Sequence, residues 1–593
     1  MDPHAEYLRA LAVRTDEAAR EEKLSRKTGN ARLLTGIAGV VVGFFVFGEV
    51  VISPWWLLIP AAVFSVLVVF HARVDNRMQR AKRASAFYEW GLARLENRWM
   101  GRGEQGERFR GSPHVYADDL DLFGRGSLFE LLCTARTHAG EDTLALWLLA
   151  AGPQVEVFAR QQAVAELRER RDLREDFAIL GEPVRTGVHG DSLAAWGERP
   201  LVAFAPWMRI AAATLASILA VTFGLYMAGV FRRTPFLVTL FVLLAFLLFM
   251  RSKVDQVTDG LDTPAHDLDL LATLLNRMES EHFESPLLAG ILERIRIRGL
   301  TASAQISKLH RLVERLDWGR NMFFAPLAAV LLWREQLAMA IESWRGAAGP
   351  AIRNWIAAVG EFEALLALSG YSFEHPADPF PAFVERDGWF EAAGLGHPLM
   401  SEAQCVRNDV RLGDELRLLV VSGSNMSGKS TLLRSVGLNT VLAWAGAPVR
   451  AASMTVSPLA VGASIRVVDS LQDGRSRFYA EITRLREIVS LTSGKQTVLF
   501  LIDELLSGTN SHDRFIGAQA VVRGLVNRGA IGIITTHDLA LAHIAEDFEG
   551  RAANVHFADT IENGALHFDY HLREGVVQKS NALELMRSVG LEV

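Results

Sequence analysis

A chain of 593 residues is longer than one hydrophobic core organises, so it holds several domains. Its 62 basic and 68 acidic side chains leave a formal net charge of -6, which excludes the whole-chain basic field of a dedicated nucleic-acid binder and confines any such contact to a local patch. The two cysteines, Cys133 and Cys405, stand far apart with no histidine beside them, which argues against a disulfide framework or a zinc site and suits a reducing compartment.

Residues 1–32 are charged and helical in pattern, the wrong texture for a cleavable signal peptide. Residues 33–52 are almost wholly apolar, broken by Thr35, glycines and Glu49, and after Ser53-Pro54 a charge-free run covers 55–70. The same pattern returns at 210–231 and 236–250, around Arg232-Arg233-Thr234-Pro235. Each run is about 15–22 residues, near the roughly 20 that cross a bilayer core as a helix. Each pair turns within a few residues, so they read as two transmembrane hairpins at 33–71 and 201–252; the alternative is four core helices of a soluble protein. Lys23, Arg26, Lys27 and Arg32 precede the first hairpin, Arg73, Arg77, Arg80, Lys82 and Arg83 follow it, and Arg251 and Lys253 follow the second. This charge bias puts all but the hairpin turns in the cytosol, with Arg232-Arg233 counting against it. The expectation is a multi-pass protein of the cytoplasmic membrane, with the lipid bilayer as partner and Trp55, Trp56 and Trp207 near the interfaces.

Between the hairpins, 72–122 reads as a charged juxtamembrane helix and a loop containing Gly101, Gly103, Gly106 and Gly111, and 123–200 has helical apolar spacing. Residues 253–375 are again helical; their apolar patch at 322–333 is too short to span a membrane and reads as core. A proline-rich linker at 376–381 precedes short β-rich runs alternating with helices, the texture of an α/β domain with a parallel sheet over 376–593.

Within that domain, the buried-strand run 417–422 leads into Gly423-Ser424-Asn425-Met426-Ser427-Gly428-Lys429-Ser430-Thr431 and then an apolar helix. Glycines at this spacing let backbone N–H groups wrap phosphates, Lys429 reaches the β- and γ-phosphates, and the Ser430 hydroxyl ligates Mg²⁺, so ATP and Mg²⁺ are the expected cofactors. A second apolar run, 497–502, ends in Asp503-Glu504: Asp503 would hold Mg²⁺ through water, and Glu504 would orient the attacking water. A third, 530–534, ends in Thr535-Thr536-His537, where His537 can meet the γ-phosphate or the lytic water. The chain reads as a P-loop ATPase converting ATP and water to ADP and phosphate.

These motifs resemble the MutS family of DNA mismatch-repair ATPases. The resemblance lies in the Asn425-Met426 interior of the loop, Asp469 to Phe478 with Glu481, Asp503-Glu504 with Gly508-Thr509-Asn510 and Asp513, and Thr535-Thr536-His537. It begins at Gly396-His397-Pro398 and Asn408 and ends at Tyr570 to Gly575; more weakly, Ser127 to Leu132, Gly140, Trp147-Leu148 and Arg160 to Val164 resemble the family's lever. The fold class it implies is multidomain: a C-terminal ABC/MutS-type α/β ATPase with dimerisation helices (376–593), an all-α core or lever in two halves (123–200 and 253–375), and four transmembrane helices in two hairpins. It further implies a homodimer through the ATPase domains, in which Gly474, Arg475 and Ser476 complete the partner's site, and duplex DNA as a partner.

Three departures stand beside it. No room exists for a mismatch-reading domain; Phe87-Tyr88-Glu89 spells its Phe-x-Glu motif but lies in a continuous helical pattern, where an intercalating wedge has no use. The second hairpin occupies the place of the family's DNA clamp. Cys405-Val406 stands where an aromatic for the adenine is usual. The function expected from the resemblance is a membrane-anchored, dimeric MutS-type ATPase with mismatch-repair-type DNA binding. The alternative is a membrane-remodelling or transporter-like ATPase with no DNA role.

Overall fold

The computed structural model describes residues 2–48, 53–111, 113–319, 321–322, 324–466, 477–506, 511–537, 539–548, 550–562 and 565–577. The chain forms two compact units: Met1–Thr134 with Leu144–Ile179 and Leu365–Val593, and Ala135–Thr143 with Leu180–Ala364.

The first unit opens with one helix, Pro3–Phe47, started by the Asp2 side chain accepting from the His4 N–H and by Pro3 at its first turn. The charged-to-apolar change near residue 32 is therefore a change of surface within a continuous helix. Its partner, Leu58–Leu95, likewise runs without a break from an apolar half to a charged half. At their polar ends the two helices approach closely: a Cβ on Gly91 would collide with the Tyr7 ring. Tyr7, Phe87, Tyr88, Leu92, Ala178 and Phe373 form a buried cluster there, so the Phe87-Tyr88-Glu89 sequence belongs to a helix-packing seam. Arg94 forms a buried ion pair with Glu374, which also accepts from the Tyr7 hydroxyl at 3.1 Å.

The same unit holds two sheets. In the six-stranded sheet the order is Ala565–Glu574, Ala552–Glu562, Leu418–Ser422, Ile531–Thr536, Thr497–Ile502, Leu459–Ser464. All neighbours pair in parallel except the first two strands, which form an antiparallel pair. Leu418–Ser422 and Ile531–Thr536 are buried throughout, as strands covered on both faces must be. The three strand runs expected from sequence are thus adjacent, and the third extends to Thr536, inside the Thr-Thr-His motif. A smaller sheet, ordered Ala382–Phe383, Ser453–Val456, Phe390–Leu395, Asn408–Leu412, was not legible beforehand.

The second unit is helical. It includes Pro206–Met227 and Arg233–Thr258, joined by a short turn. Among the described residues, five helical stretches are long and apolar enough to cross a membrane, by length and composition. The apolar windows of four of them, in Pro3–Phe47, Pro54–Leu95, Pro206–Met227 and Arg233–Thr258, are only 6%, 6%, 17% and 11% buried. The fifth window, within Trp333–Glu374, is 83% buried and is core. The patch at 322–333 departs from its expected place in the core: Ala328 and Leu332 are buried, but Met322 and Leu327 are 79% and 53% exposed. Its apolar spacing gives one short helix, Ala325–Val330, too short to bury more than one side.

Glu363, buried in the helix Ile352–Glu374, accepts from the Arg136 and Thr137 N–H groups at 3.0 and 3.2 Å and from the Thr137 hydroxyl. Burial pushes its carboxyl up to about 7 against these bonds, which favour the ionised form. The folded state therefore holds a proton that the unfolded chain has released, and stability falls as pH rises from about 4.5 to 7. Thermal unfolding of wild type and Glu363→Gln across that range checks this. The wild type should lose stability toward pH 7 relative to the variant, and parallel profiles would contradict it.

Candidate functional site

The first six-stranded-sheet strand in the chain, Leu418–Ser422, ends at a loop whose backbone needs glycine. Gly423 has φ 156° and Gly428 φ 102°, the latter immediately before the helix Lys429–Ala445. A Cβ at Gly423 would lie 2.7 Å from the Ser427 hydroxyl and 3.2 Å from the Phe557 carbonyl oxygen, so the loop closes tightly on itself. Met426, with φ 71°, is 85% exposed at its tip, beside the exposed Asn425. Lys429 is buried and folds back over the loop, donating to the Gly423 and Ser424 carbonyls at 2.8 Å each. Burial lowers its pKa, opposed by the nearby Glu504 and Asp503 carboxylates. Among the described residues, the buried Ser424 and Ser427 hydroxyls have no hydrogen-bond partner. An ammonium, two orphan hydroxyls and a helix N-terminus around one concavity fit a phosphate chain.

Asp503 follows the strand Thr497–Ile502 and is held in place by its own N–H, which donates to Ser464 O at 2.8 Å. One of its carboxylate oxygens accepts from the Ser430 hydroxyl, the other from the Thr535 hydroxyl. The P-loop helix and two strand ends thus meet on one carboxylate. The Ser430–Asp503 pair is the hydroxyl and carboxylate that would hold Mg²⁺ beside a bound triphosphate. Thr431 completes the first turn of the helix behind it. Among the described residues no group of three or more His, Cys, Asp or Glu side chains is set to hold a metal by itself.

Glu504 sits in left-handed backbone, φ 46°, followed by Leu506 at φ 56°, conformations that cost about 1–3 kcal/mol each in residues other than glycine. Its N–H donates to the Thr535 hydroxyl oxygen at 3.1 Å, and Leu506 N–H donates to the Glu481 carboxylate. This turns the Glu504 carboxylate out of the strand direction and toward His537, whose Nδ1 lies 3.2 Å from Glu504 Oε1. Both are partly open to solvent, His537 more than Glu504. The two groups are in direct hydrogen-bond contact at the mouth of the phosphate cradle.

A cavity of about 580 Å³ adjoins the loop, large enough for a nucleotide. Cys405 and Val406 do line it, as the departure from the family suggested, but Phe557 and Tyr570 supply aromatic surface from the opposite strands. Tyr570 stands at a register break in the pair formed by Ala552–Glu562 and Ala565–Glu574, with φ 56°. Asn408 pins it there, donating to Tyr570 O at 3.0 Å and accepting from Leu572 N–H at 2.7 Å. A Cβ on Gly428 would lie 3.2 Å from the Tyr570 ring, which places that ring against the P-loop. His397, also lining the cavity, is pushed down to about 4 by burial and stays neutral.

Gly474, Arg475 and Ser476 lie outside the described residues, as do Gly508, Thr509 and Asn510. The expected P-loop, Asp503, Glu504 and His537 groups are brought together. Sequence reasoning missed Thr535 as the hydroxyl that bonds both acidic residues, and Tyr570 as a lining residue.

Residues 419–592 match the family model described as MutS domain V. The endonuclease MutS2 of Thermus thermophilus is 36% identical over 219 residues, a stretch covering 36% of this chain and 27% of that protein. The chain therefore spans about a quarter of the length of that relative.

Thr535→Val keeps shape but removes the hydroxyl that donates to Asp503 and accepts from Glu504 N–H. ATP turnover by this variant should fall about 10-fold or more while ATP affinity stays near wild type. Equal loss of affinity and turnover would show that the hydroxyl serves only the fold.

Proposed function

We propose, for a chain that belongs to the MutS family through its C-terminal domain, a membrane-anchored, dimeric ATPase whose nucleotide cycle acts on the membrane-facing helices. The observation that carries the ATPase part is the convergence of Lys429, Ser430, Asp503, Thr535 and Glu504 at the carboxyl ends of three adjacent parallel strands. There Lys429 and the loop N–H groups neutralise the β- and γ-phosphates, Ser430 and Asp503 would hold Mg²⁺, and Glu504 polarises the attacking water. Mg²⁺, if bound there, would supply positive charge against the charge developing on the phosphates. His537, hydrogen-bonded to Glu504, senses the γ-phosphate. Tyr570 offers its ring to the base, taking the place of the aromatic missing at Cys405-Val406. Gly474, Arg475 and Ser476 reach the γ-phosphate of a partner subunit, a cation and a hydroxyl beside a glycine that allows close approach.

The bilayer part rests on the four helices whose apolar windows are almost wholly uncovered, with Trp55 and Trp56, 76% and 57% exposed, at the turn of the first pair. Apolar surface of that extent is unstable in water and suits hydrocarbon, with the tryptophans at its boundary. The cytoplasmic membrane, with the ATPase domain in the cytosol, is the location this reading requires. A second reading, duplex DNA as the substrate of the cycle, is favoured by the MutS domain V match and by the name of the endonuclease relative. The buried Phe87 and Tyr88 give it no reader residue.

Glu504→Gln should bind ATP as wild type does, lose about 100-fold or more in turnover, and accumulate as an ATP-bound dimer. Undiminished hydrolysis in this variant would refute the role given to Glu504. For the choice of substrate, the detergent-solubilised protein should neither bind duplex DNA in a salt-dependent way nor change its ATPase rate with DNA; the opposite result would favour the DNA reading.

A further inference from the structure

The edge strand of the large sheet, Leu459–Ser464, is followed after two residues by the segment that carries Gly474, Arg475 and Ser476. An edge strand leaves backbone groups unpaired, and a loop leaving it has no neighbour to set its direction. Here the neighbour comes from outside the ATPase domain. Residues 114–121, from the glycine-containing loop after the first hairpin, run along this edge. Ala463 N–H donates to Val115 O at 2.8 Å. One carboxylate oxygen of Asp119, 3% exposed, accepts from the consecutive N–H groups of Ile465 and Arg466 at 2.6 and 2.8 Å, from 346 and 347 residues away. The other oxygen faces Arg484 Nε at 3.9 Å, and Arg484 also donates to His114 O at 2.6 Å.

Ile465 and Arg466 enter the signature segment, and Arg484 lies in the helix that leaves it, Arg477–Leu491. Both flanks therefore meet one buried carboxylate. The same stretch grips the P-loop helix: Arg434 donates to Asp119 O at 3.0 Å and pairs with Asp121 at 3.3 Å, and a Cβ on Gly437 would lie 2.5 Å from Leu120. Charge-assisted bonds to backbone N–H groups are among the stronger hydrogen bonds, and deleting the acceptor removes the partner of both N–H groups.

We propose that Asp119 is a positioning residue for hydrolysis, fixing Ile465, Arg466 and Arg484, the described residues on either side of the signature segment, relative to the P-loop helix. The proposal rests on reading Arg475 and Ser476 as contacts made in trans. Asp119 touches no nucleotide; it acts only through the segment it holds, and in the site of the partner, not its own.

That asymmetry gives the test. In the full-length protein, Asp119→Ala and Asp119→Asn should keep ATP affinity within about 2-fold, while turnover falls about 10-fold or more in Asp119→Ala and less in Asp119→Asn, which retains an acceptor. Mixed with Lys429→Ala, which cannot hold ATP but carries an intact signature, Asp119→Ala should recover turnover that neither variant has alone. Ser476→Ala, run in parallel, tests the reading underneath. If it too loses turnover and is rescued by Lys429→Ala, while Asp119→Ala is unimpaired or cannot be rescued, the proposal falls and the trans reading stands. If Ser476→Ala and Arg475→Ala both hydrolyse ATP at the wild-type rate, the trans reading itself falls. Loss of ATP binding in both Asp119 variants would mark the residue as structural and overturn the proposal.

Discussion

The Asp503 carboxylate is the junction on which the candidate nucleotide site depends. It accepts the hydroxyl of Ser430 on one oxygen and that of Thr535 on the other, so the start of the P-loop helix and the ends of two parallel strands are fixed to one another through a single residue. Parallel strands bring their carboxyl ends to the same edge of the sheet, but they do not by themselves set side chains within a few tenths of an ångström. The paired hydroxyls do that. Thr535 carries the constraint one step further by accepting from Glu504 N–H, which helps hold that residue in its left-handed conformation and turns its carboxylate toward His537. The strained backbone at Glu504 and Leu506 is stabilised by these bonds and by the Glu481 carboxylate under the turn.

The same economy governs the surroundings. Each part of the site is held by residues distant in sequence: the ring of Tyr570 by Asn408, the edge strand and signature roots by residues 114–121, and Glu374 by Tyr7 and Arg94 of the first hairpin. Removing one partner from a buried ion pair such as Arg94–Glu374 leaves an uncompensated charge, so these ties are stiff. The polar ends of the first hairpin are therefore bound into the unit that contains the ATPase domain. Its apolar ends remain uncovered.

What the sequence revealed follows from how local each signal was. The P-loop, the strand before it and the acidic strand were legible because glycine spacing, a lysine and continuous apolar runs are local features with one common structural meaning. Glu504 and His537 could be placed at one edge of the sheet because their strands were legible. Thr535 was passed over, since a threonine near a strand end is unremarkable until its hydroxyl is seen to bond two acidic residues. Tyr570 could not be assigned to the cavity, because its position depends on a register break and on Asn408, 162 residues away. Asp119 sits in an Asp-Asp-Leu-Asp run that looks like solvated loop, and only the fold brings it to Ile465. The apolar patch at 322–333 was misjudged because composition tells how apolar a segment is and not whether anything covers it.

Whether this constellation hydrolyses ATP with Mg²⁺ is read from phosphate release by the purified, detergent-solubilised protein, measured with and without Mg²⁺ and beside Lys429→Ala. Turnover should require Mg²⁺ and be abolished in the variant. Release that persists in Lys429→Ala, or that is indifferent to Mg²⁺, would contradict that assignment.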